Sequence, residues 1–298
     1  MEETIKLLSE INRKELAFMN FGNEFSMPSI KVLEEIVEIL KEIIFPTYFG
    51  NTSITASNFS FYMGVNLDKI KMLLTDQIKK GLYYNNAIKN TECENCVSLA
   101  QEKVSKFIKT LPYIKEMLHK DVEAAYLGDP ASKNLGEIIY CYPGINALTN
   151  YRIAHELLQL EVPLIPRIIT EMAHSATGID IHPGAKIGEY FGIDHGTGIV
   201  IGETCIIGNN VKIYQGVTLG AKSFPLDENG NPIKGIARHP IVEDGVIIYS
   251  GATILGRVTI GKNSMIGGNV WLTHNVVENS KIMQRRAKEN VFENGAGI

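Results

Sequence analysis

Residues 178–220 read GIDIHPGAKIGEYFGIDHGTGIVIGETCIIGNNVKIYQGVTLG, and within them an apolar residue returns at every sixth position. Ile181, Ile187, Ile193, Ile199, Cys205, Val211 and Val217 form one row, and Ile201, Ile207, Ile213 and Leu219 form a companion row. After an irregular stretch the spacing resumes at Ile248, Ile254, Ile260, Ile266 and Leu272. A helical face recurs at ~3.6 residues and a half-buried strand at ~2, so neither explains this period. Apolar steps of this length with Gly, Asn, Asp or His at the corners mark a parallel β-helix, in which three short strands close one triangular coil. Small residues supply the second inward position: Cys205, Val211 and Val217 follow their large aliphatics, and Ala252, Val258, Ser264 and Val270 do so further on. Like residues then stack in columns whose stability accrues coil by coil, and about four coils are expected.

The chain has 298 residues and the repeat fills only its C-terminal third or so, so a second domain lies upstream. A hydrophobic content of 45% with 21% charged residues is that of an ordinary soluble globular protein. With a net charge of −4 and no basic cluster, the chain offers no nucleic-acid surface. Met1 to Glu10 is acidic where a secretory signal would be basic, and no apolar run reaches the ~18 residues of a membrane span. A cytoplasmic protein without membrane contact is expected. Four cysteines do not make a disulfide framework. Cys93 and Cys96 form a lone C-x-x-C without a second pair at ligand spacing, which reads as two free thiols rather than half of a zinc site.

Upstream of the repeat the periodicity is helical. Residues 31–44 carry apolar side chains at i, i+3, i+4 and i+7 before Pro46 stops the run. Leu67, Ile70, Leu74 and Ile78 mark a second helix, and Val97, Ala100, Val104 and Ile108 a third. A further helix runs over Asp121–Tyr126 to Gly128-Asp129-Pro130, and another starts at Tyr151 and is broken by Pro163 and Pro166. The fold class is therefore α+β: an all-α domain over residues 1–165, a β-helix over 166–280 and a flexible tail over 281–298. One long loop, Lys222 to Arg238, interrupts the β-helix, and a loop of that length is usually functional or disordered.

Titratable residues gather where the repeat falters. Stepping the Ile201 row back by six lands on His195, beside a two-residue slip of register between Ile199 and Ile201. Such local departures are most expected at functional sites. Asp180 precedes His195 by fifteen residues, close to one coil, which makes the two candidate neighbours on adjacent coils. A carboxylate bonded to one ring nitrogen fixes the tautomer and leaves the other nitrogen as a general base. Arg238-His239-Pro240 closes the long loop, and an Arg fork suits a carboxylate through two parallel hydrogen bonds. Asp129 and Asp194 suit an ammonium group. A site with receptors for both charges points to an α-amino acid.

Together these residues resemble the serine O-acetyltransferases, the bacterial-type enzymes that begin cysteine synthesis. The resemblance rests on Asp129-Pro130-Ala131, Tyr151-Arg152-Ile153-Ala154-His155, Asp180-Ile181-His182-Pro183, the run Asp194 to Glu203, Gln215 to Gly220, and Arg238-His239-Pro240. It covers residues 120–275 well and the N-terminal helices loosely. What it implies is a left-handed β-helix, an exception to the usual handedness of parallel crossovers. Three subunits would pack about a threefold axis with active sites between neighbours, as a homotrimer or a dimer of trimers. His195 would be the general base and Asp180 its orienting partner. Asp129 and Asp194 would hold the amino group of L-serine, and Arg238 and His239 its carboxylate. Acetyl-CoA would be the co-substrate, with a backbone amide at Gly220-Ala221 facing the thioester oxygen and the corner at Ala252 against the CoA arm. The resemblance also implies inhibition by L-cysteine and docking of the terminal Ile298 in cysteine synthase, and no metal.

Three features depart from the family pattern. Gly220-Ala221 stands where Gly-Gly is usual, the loop 222–238 is longer than the common form, and Ile282-Met283-Gln284-Arg285-Arg286 replaces a Gly-Val-Pro-Ala-Arg segment. An alternative reading is a hexapeptide-repeat acyltransferase acting on a sugar or other small acceptor, which has no need of Arg238. A zinc hydratase using His182, His195 and His239 is a third. A non-enzymatic scaffold leaves the Asp180/His195 and Arg238/His239 groupings without a purpose.

Overall fold

The computed structural model of the protein describes residues 1–9, 26–50, 53–88 and 95–285. Seven helices come first among these residues: α1 (Glu2–Ser9), α2 (Ile30–Ile44), α3 (Phe59–Ile88), α4 (Cys96–Gly128), α5 (Leu135–Cys141), α6 (Pro143–Gln159) and α7 (Ile165–Thr177). Ser29 caps α2 by accepting from the Val32 N–H, and its buried stripe of Leu33, Ile36, Val37, Leu40, Ile43 and Ile44 has the spacing read from the sequence. Two segments that the sequence separates are one helix. The stripe Val104, Phe107, Leu111, Ile114, Leu118, Val122 and Ala125 continues straight through Pro112, so its burial outweighs the hydrogen bond that proline removes. Pro166 likewise starts α7 instead of breaking α6, since a helix tolerates proline in its first turn. Cys96, buried at the head of α4, is disulfide-bonded and not a free thiol, while Cys141 and Cys205 are free; Cys93 lies outside the described residues.

Fourteen strands follow. The first coil is β1 (Asp180–Ile181), β2 (Lys186–Ile187) and β3 (Gly192–Asp194), and the second β4 (Val200–Ile201), β5 (Ile206–Ile207) and β6 (Lys212–Tyr214). The third is β7 (Thr218–Gly220), β8 (Ile241–Val242) and β9 (Ile247–Ile248), and the fourth β10 (Thr253–Leu255), β11 (Thr259–Ile260) and β12 (Met265–Ile266). A fifth, partial coil adds β13 (Trp271–Leu272) and β14 (Lys281–Ile282), one turn beyond the four expected. All pairings are parallel and make three faces, β1-β4-β7-β10-β13, β2-β5-β8-β11 and β3-β6-β9-β12-β14. The winding is that of a left-handed β-helix. Change from helix to strand falls between Thr177 and Asp180, and β14 carries the coil to Ile282.

Register explains the two apolar rows. Ile181 pairs with Ile201 and Ile193 with Ile213, twenty positions on, whereas Ile201 pairs with Leu219, eighteen on. Ile181, Ile187 and Ile193 therefore belong to the column of Ile201, Ile207 and Ile213, while Ile199, Cys205 and Val211 continue Ile179, Ala185 and Phe191. Every one of these side chains is buried. A side chain of this kind contributes ~1.5–3 kcal/mol on leaving water, which makes the stacked interior the main source of the domain's stability. The long loop changes nothing in this frame. Ile207 pairs with Val242 thirty-five positions on, residues 222–238 accounting for the excess, and the column resumes in phase.

The edge of the first coil is covered. Its inward residues turn unpaired backbone groups away from the second coil, and buried orphans of that kind are costly. Side chains of α4 and α6 take them up. Tyr151 donates to the Ala185 carbonyl at 2.6 Å, Arg152 to the Gly188 carbonyl at 2.9 Å, and Asp121 accepts the Phe191 N–H at 3.1 Å. His155 Nδ1 lies 2.8 Å from the Pro183 carbonyl. Arg152 and Asp121 also pair through two hydrogen bonds of 2.6 and 2.8 Å, both buried. The Tyr-Arg-x-x-His motif is thus the plug that seats the β-helix on the helices.

Candidate active site

The two-residue excess of the first coil lies in one corner. Ile193 to Ile201 takes eight residues where Ile213 to Leu219 takes six, and the extra length is spent on His195 to Gly198. His195 and Gly196 both have positive φ, 56° and 93°. A Cβ at Gly196 would come 2.5 Å from Ile179 Cδ1, so glycine is required there and the bulge pushes its neighbour outward. The His195 side chain is 76% exposed, with Nε2 3.7 Å from Asp194 Oδ1.

Asp194 closes β3 beneath the end of α4. Its Oδ2 accepts from Lys212 Nζ at 2.8 Å, and the same ammonium donates to the Gly128 carbonyl at 2.7 Å. Burial opposes the Lys212 charge, but Asp194 and Tyr214 outweigh it and hold the lysine above its ordinary pKa. Asp129, which ends α4, accepts from Tyr142 Oη at 2.6 Å and from the Ala131 N–H at 2.8 Å. These bonds hold its carboxyl below the usual range and push the Tyr142 hydroxyl up to about 12. Asp129, Asp194, Tyr142 and Lys212 line one small cleft, with His195 at its rim.

Arg238 and His239 stand at the other end of the β1-β4-β7 face, where the long loop rejoins the third coil. Thr204 organises them. Its Oγ1 accepts from the backbone N–H groups of Arg238 at 2.9 Å and His239 at 3.1 Å, and lies 2.8 Å from His239 Nδ1. The Thr204 N–H donates to the same Nδ1 at 3.1 Å, so the proton of the neutral ring sits on Nε2. The imidazole lies against Gly202, where any Cβ would collide with it at 2.1 Å. Burial and then the Arg238 charge depress the His239 pKa to about 4, which makes it a neutral N–H donor at physiological pH. Arg238 Nη2 pairs with Glu203 at 3.0 Å and its Nε is buried without a partner. Gly220 and Ala221 are half-buried on the same side, at the point where the loop leaves β7.

Ala252 does not fit its expected role. Its side chain is wholly inside the β-helix, its N–H bonds to the Tyr249 carbonyl and its carbonyl accepts from Thr218, so its methyl cannot meet CoA. Asp180 pairs with Val200 one coil on, which puts it in the same coil as His195 and not on an adjacent one. No hydrogen bond or ion pair joins Asp180 to His195 in the protomer; the aspartate packs with Glu171 and His174 of α7. His195 is also at a different corner from His182 and His239, so the three histidines do not converge within one chain.

Over its full length the chain is 48% identical to the plasmid serine acetyltransferase of Synechococcus elongatus, covering 95% of that protein. The chain belongs to the serine acetyltransferase family. A second family member, the serine acetyltransferase of Bacillus licheniformis, is 45% identical over 56% of this chain and 74% of its own length. The serine acetyltransferase isoform 3 of Entamoeba histolytica, solved in complex with cysteine, matches with a TM-score of 0.73 at 32% identity over 98% of this chain and 93% of that one. Serine acetyltransferase 1 of the same organism, solved with L-cysteine, gives 0.72 at 36% over 94% of each. The hexapeptide family Hexapep, described as "Bacterial transferase hexapeptide (six repeats)", matches residues 239–274. Within this serine acetyltransferase family member, the structure gathers Asp129, Asp194 and His195 at one corner and Arg238 and His239 at another. Thr204, Tyr142 and Lys212 were not singled out by the sequence. Only the Glu203-Thr204 step before Cys205 carried a trace of the first, as a polar pair at a corner.

Proposed function

We propose that the chain transfers the acetyl group of acetyl-CoA to the hydroxyl of L-serine, giving O-acetylserine and CoA, the first step of cysteine synthesis. Full-length identity to a serine acetyltransferase carries this reading. His195 takes the proton from the serine hydroxyl as its oxygen attacks the thioester carbonyl. The tetrahedral oxyanion meets a backbone amide at Gly220-Ala221, the C–S bond breaks, and the CoA thiolate leaves with the proton returned by the imidazolium. Asp129 and Asp194 receive the serine ammonium, and Arg238 and His239 its carboxylate. The neutral His239 with its Nε2 proton and the spare N–H groups of Arg238 suit that anion. Asp180 is assigned to orient His195, whose exposed ring turns without displacing packed atoms.

The two charge receptors lie at corners on either side of one β-helix face. Packing of three chains about a threefold axis unites them, His195 of one chain facing Arg238 and His239 of the partner subunit, and we assign a homotrimer on that ground. L-Cysteine, bound in the two Entamoeba structures, shares both charges with serine and is the expected competitor. Docking of Ile298 in cysteine synthase belongs to the same reading, though that residue lies outside the described ones. Incubation with acetyl-CoA and L-serine should release free thiol, and His195→Ala should lower kcat by ~10²- to 10⁴-fold. Wild-type turnover in that variant would remove His195 as the base. Transfer to sugars with no transfer to serine would favour the broader acyltransferase reading.

A further inference from the structure

We propose that Lys212 is a positioning residue of the serine site, tying the end of α4, which carries Asp129, to the strand that ends in Asp194. The inference rests on the assignment of those two aspartates to the serine ammonium. Lys212 belongs to β6, one coil above Asp194, and points outward from the same face. Its ammonium donates to Asp194 Oδ2 at 2.8 Å and to the Gly128 carbonyl at 2.7 Å, and it lies 4.5 Å from the centre of the Tyr214 ring. Tyr214 in turn stacks on Tyr249 at 5.0 Å, which backs the lysine with a flat aromatic wall.

This arrangement decides what the lysine does. Two of its three donors are bonded to protein groups and its remaining side faces the Tyr214 ring, so its hydrogen bonding is directed at the protein, and its charge is matched by Asp194. Two carboxylates in one cleft repel each other when both are ionised; with Lys212 between the elements that bear them, the cleft keeps a net charge of one negative unit, complementary to a single ammonium. The lysine also occupies Oδ2 of Asp194 and leaves Oδ1 toward the rim where His195 stands. Gly128 lies beside the same stem, and the bond from Nζ to its carbonyl ties the end of α4 to β6. Removing the ammonium takes away a like charge from the arriving serine, which favours binding. It also frees two charge-assisted hydrogen bonds and the spacing of both aspartates. The second effect is the larger, because Nζ already spends its charge on Asp194.

Steady-state kinetics of the full-length protein with L-serine and acetyl-CoA test this in Lys212→Met, Lys212→Arg, Asp129→Asn and Asp194→Asn. The expected result is a KM for serine raised at least tenfold in Lys212→Met, with kcat and the KM for acetyl-CoA within about twofold and partial recovery in Lys212→Arg. A merely structural lysine would lower the melting temperature and leave the split between the two KM values unchanged, which overturns the proposal. A serine KM that stays the same or falls in Lys212→Met overturns it too. Should Lys212→Met not fold, Lys212→Gln is read by the same criteria. If neither aspartate variant alters the serine KM, the serine-site assignment fails and Lys212 falls with it. If both do and Lys212→Met does not, that assignment stands and only the role of Lys212 is lost.

Discussion

Replacing Thr204 by valine removes one oxygen and keeps the shape of the side chain. In the structure that oxygen accepts two backbone N–H groups, from Arg238 and His239, and bonds the His239 ring. Each stranded donor costs ~1–2 kcal/mol when partly buried, and the lost bond to the ring adds ~1 kcal/mol. The residues affected are the last of a long loop, so the structure relaxes locally by releasing them instead of unfolding the coil. The total of ~3–5 kcal/mol then appears as lost serine binding, a fall of roughly 100- to 4000-fold in kcat/KM for serine, since ~1.4 kcal/mol is a factor of ten. Thiol release from acetyl-CoA, followed at varied serine and then at varied acetyl-CoA, is the assay. The KM for acetyl-CoA should move much less, and Thr204→Ser, which restores the oxygen, should recover most of the loss. A Thr204→Val enzyme with kcat/KM for serine within threefold of wild type would refute the argument that this hydroxyl holds the carboxylate receptors.

Other outcomes follow from the same geometry. Arg152→Met leaves Asp121 buried and charged with the coil-edge carbonyls open, and should cost ~3–5 kcal/mol by urea unfolding; the double variant Asp121→Asn/Arg152→Met should lose clearly less than the sum of the two single changes. His239 has its pKa depressed by burial to about 4, so between the ordinary histidine value and about 4 the unfolded chain binds the extra proton. Stability contributed by this residue is therefore complete at neutral pH and declines as pH falls through that window. His239→Asn should show a shallower fall in urea midpoint between pH 7 and 4.5 than wild type, and equal slopes would count against a neutral buried ring.

The interior of the β-helix was legible because its period is unlike that of any other structure and every member of the rows is buried. Register was less so. Ile193 and Ile199 look like successive members of one row, and only the pairing of Ile193 with Ile213 reveals that the column passes to Ile201. Residue types pointed to both halves of the candidate site: the Asp194-His195 break in the repeat and Arg238-His239 after the loop. Their supports were silent. Thr204 and Lys212 act through contacts with residues 34 and 84 positions away, and no local pattern encodes such distances. Proline also misled, since Pro166 reads as a helix breaker but stands in the first turn of α7. Ala252 was read from the repeat as an inward residue, and only the resemblance set its corner against the CoA arm. Its column is the interior one, where small size serves packing.

Plugging the lower edge of the first coil gives the β-helix a direction of growth. The helices precede the coils in the chain, so Tyr151, Arg152 and Asp121 are synthesised before any strand they cover. Each later coil finds a finished edge only eighteen or so residues behind it, except across the long loop, so most pairing is local and fast to search. Nothing can be added below. Assembly therefore runs one way, from the helical platform upward, and the end sealed by Arg152 is closed to joining with another solenoid.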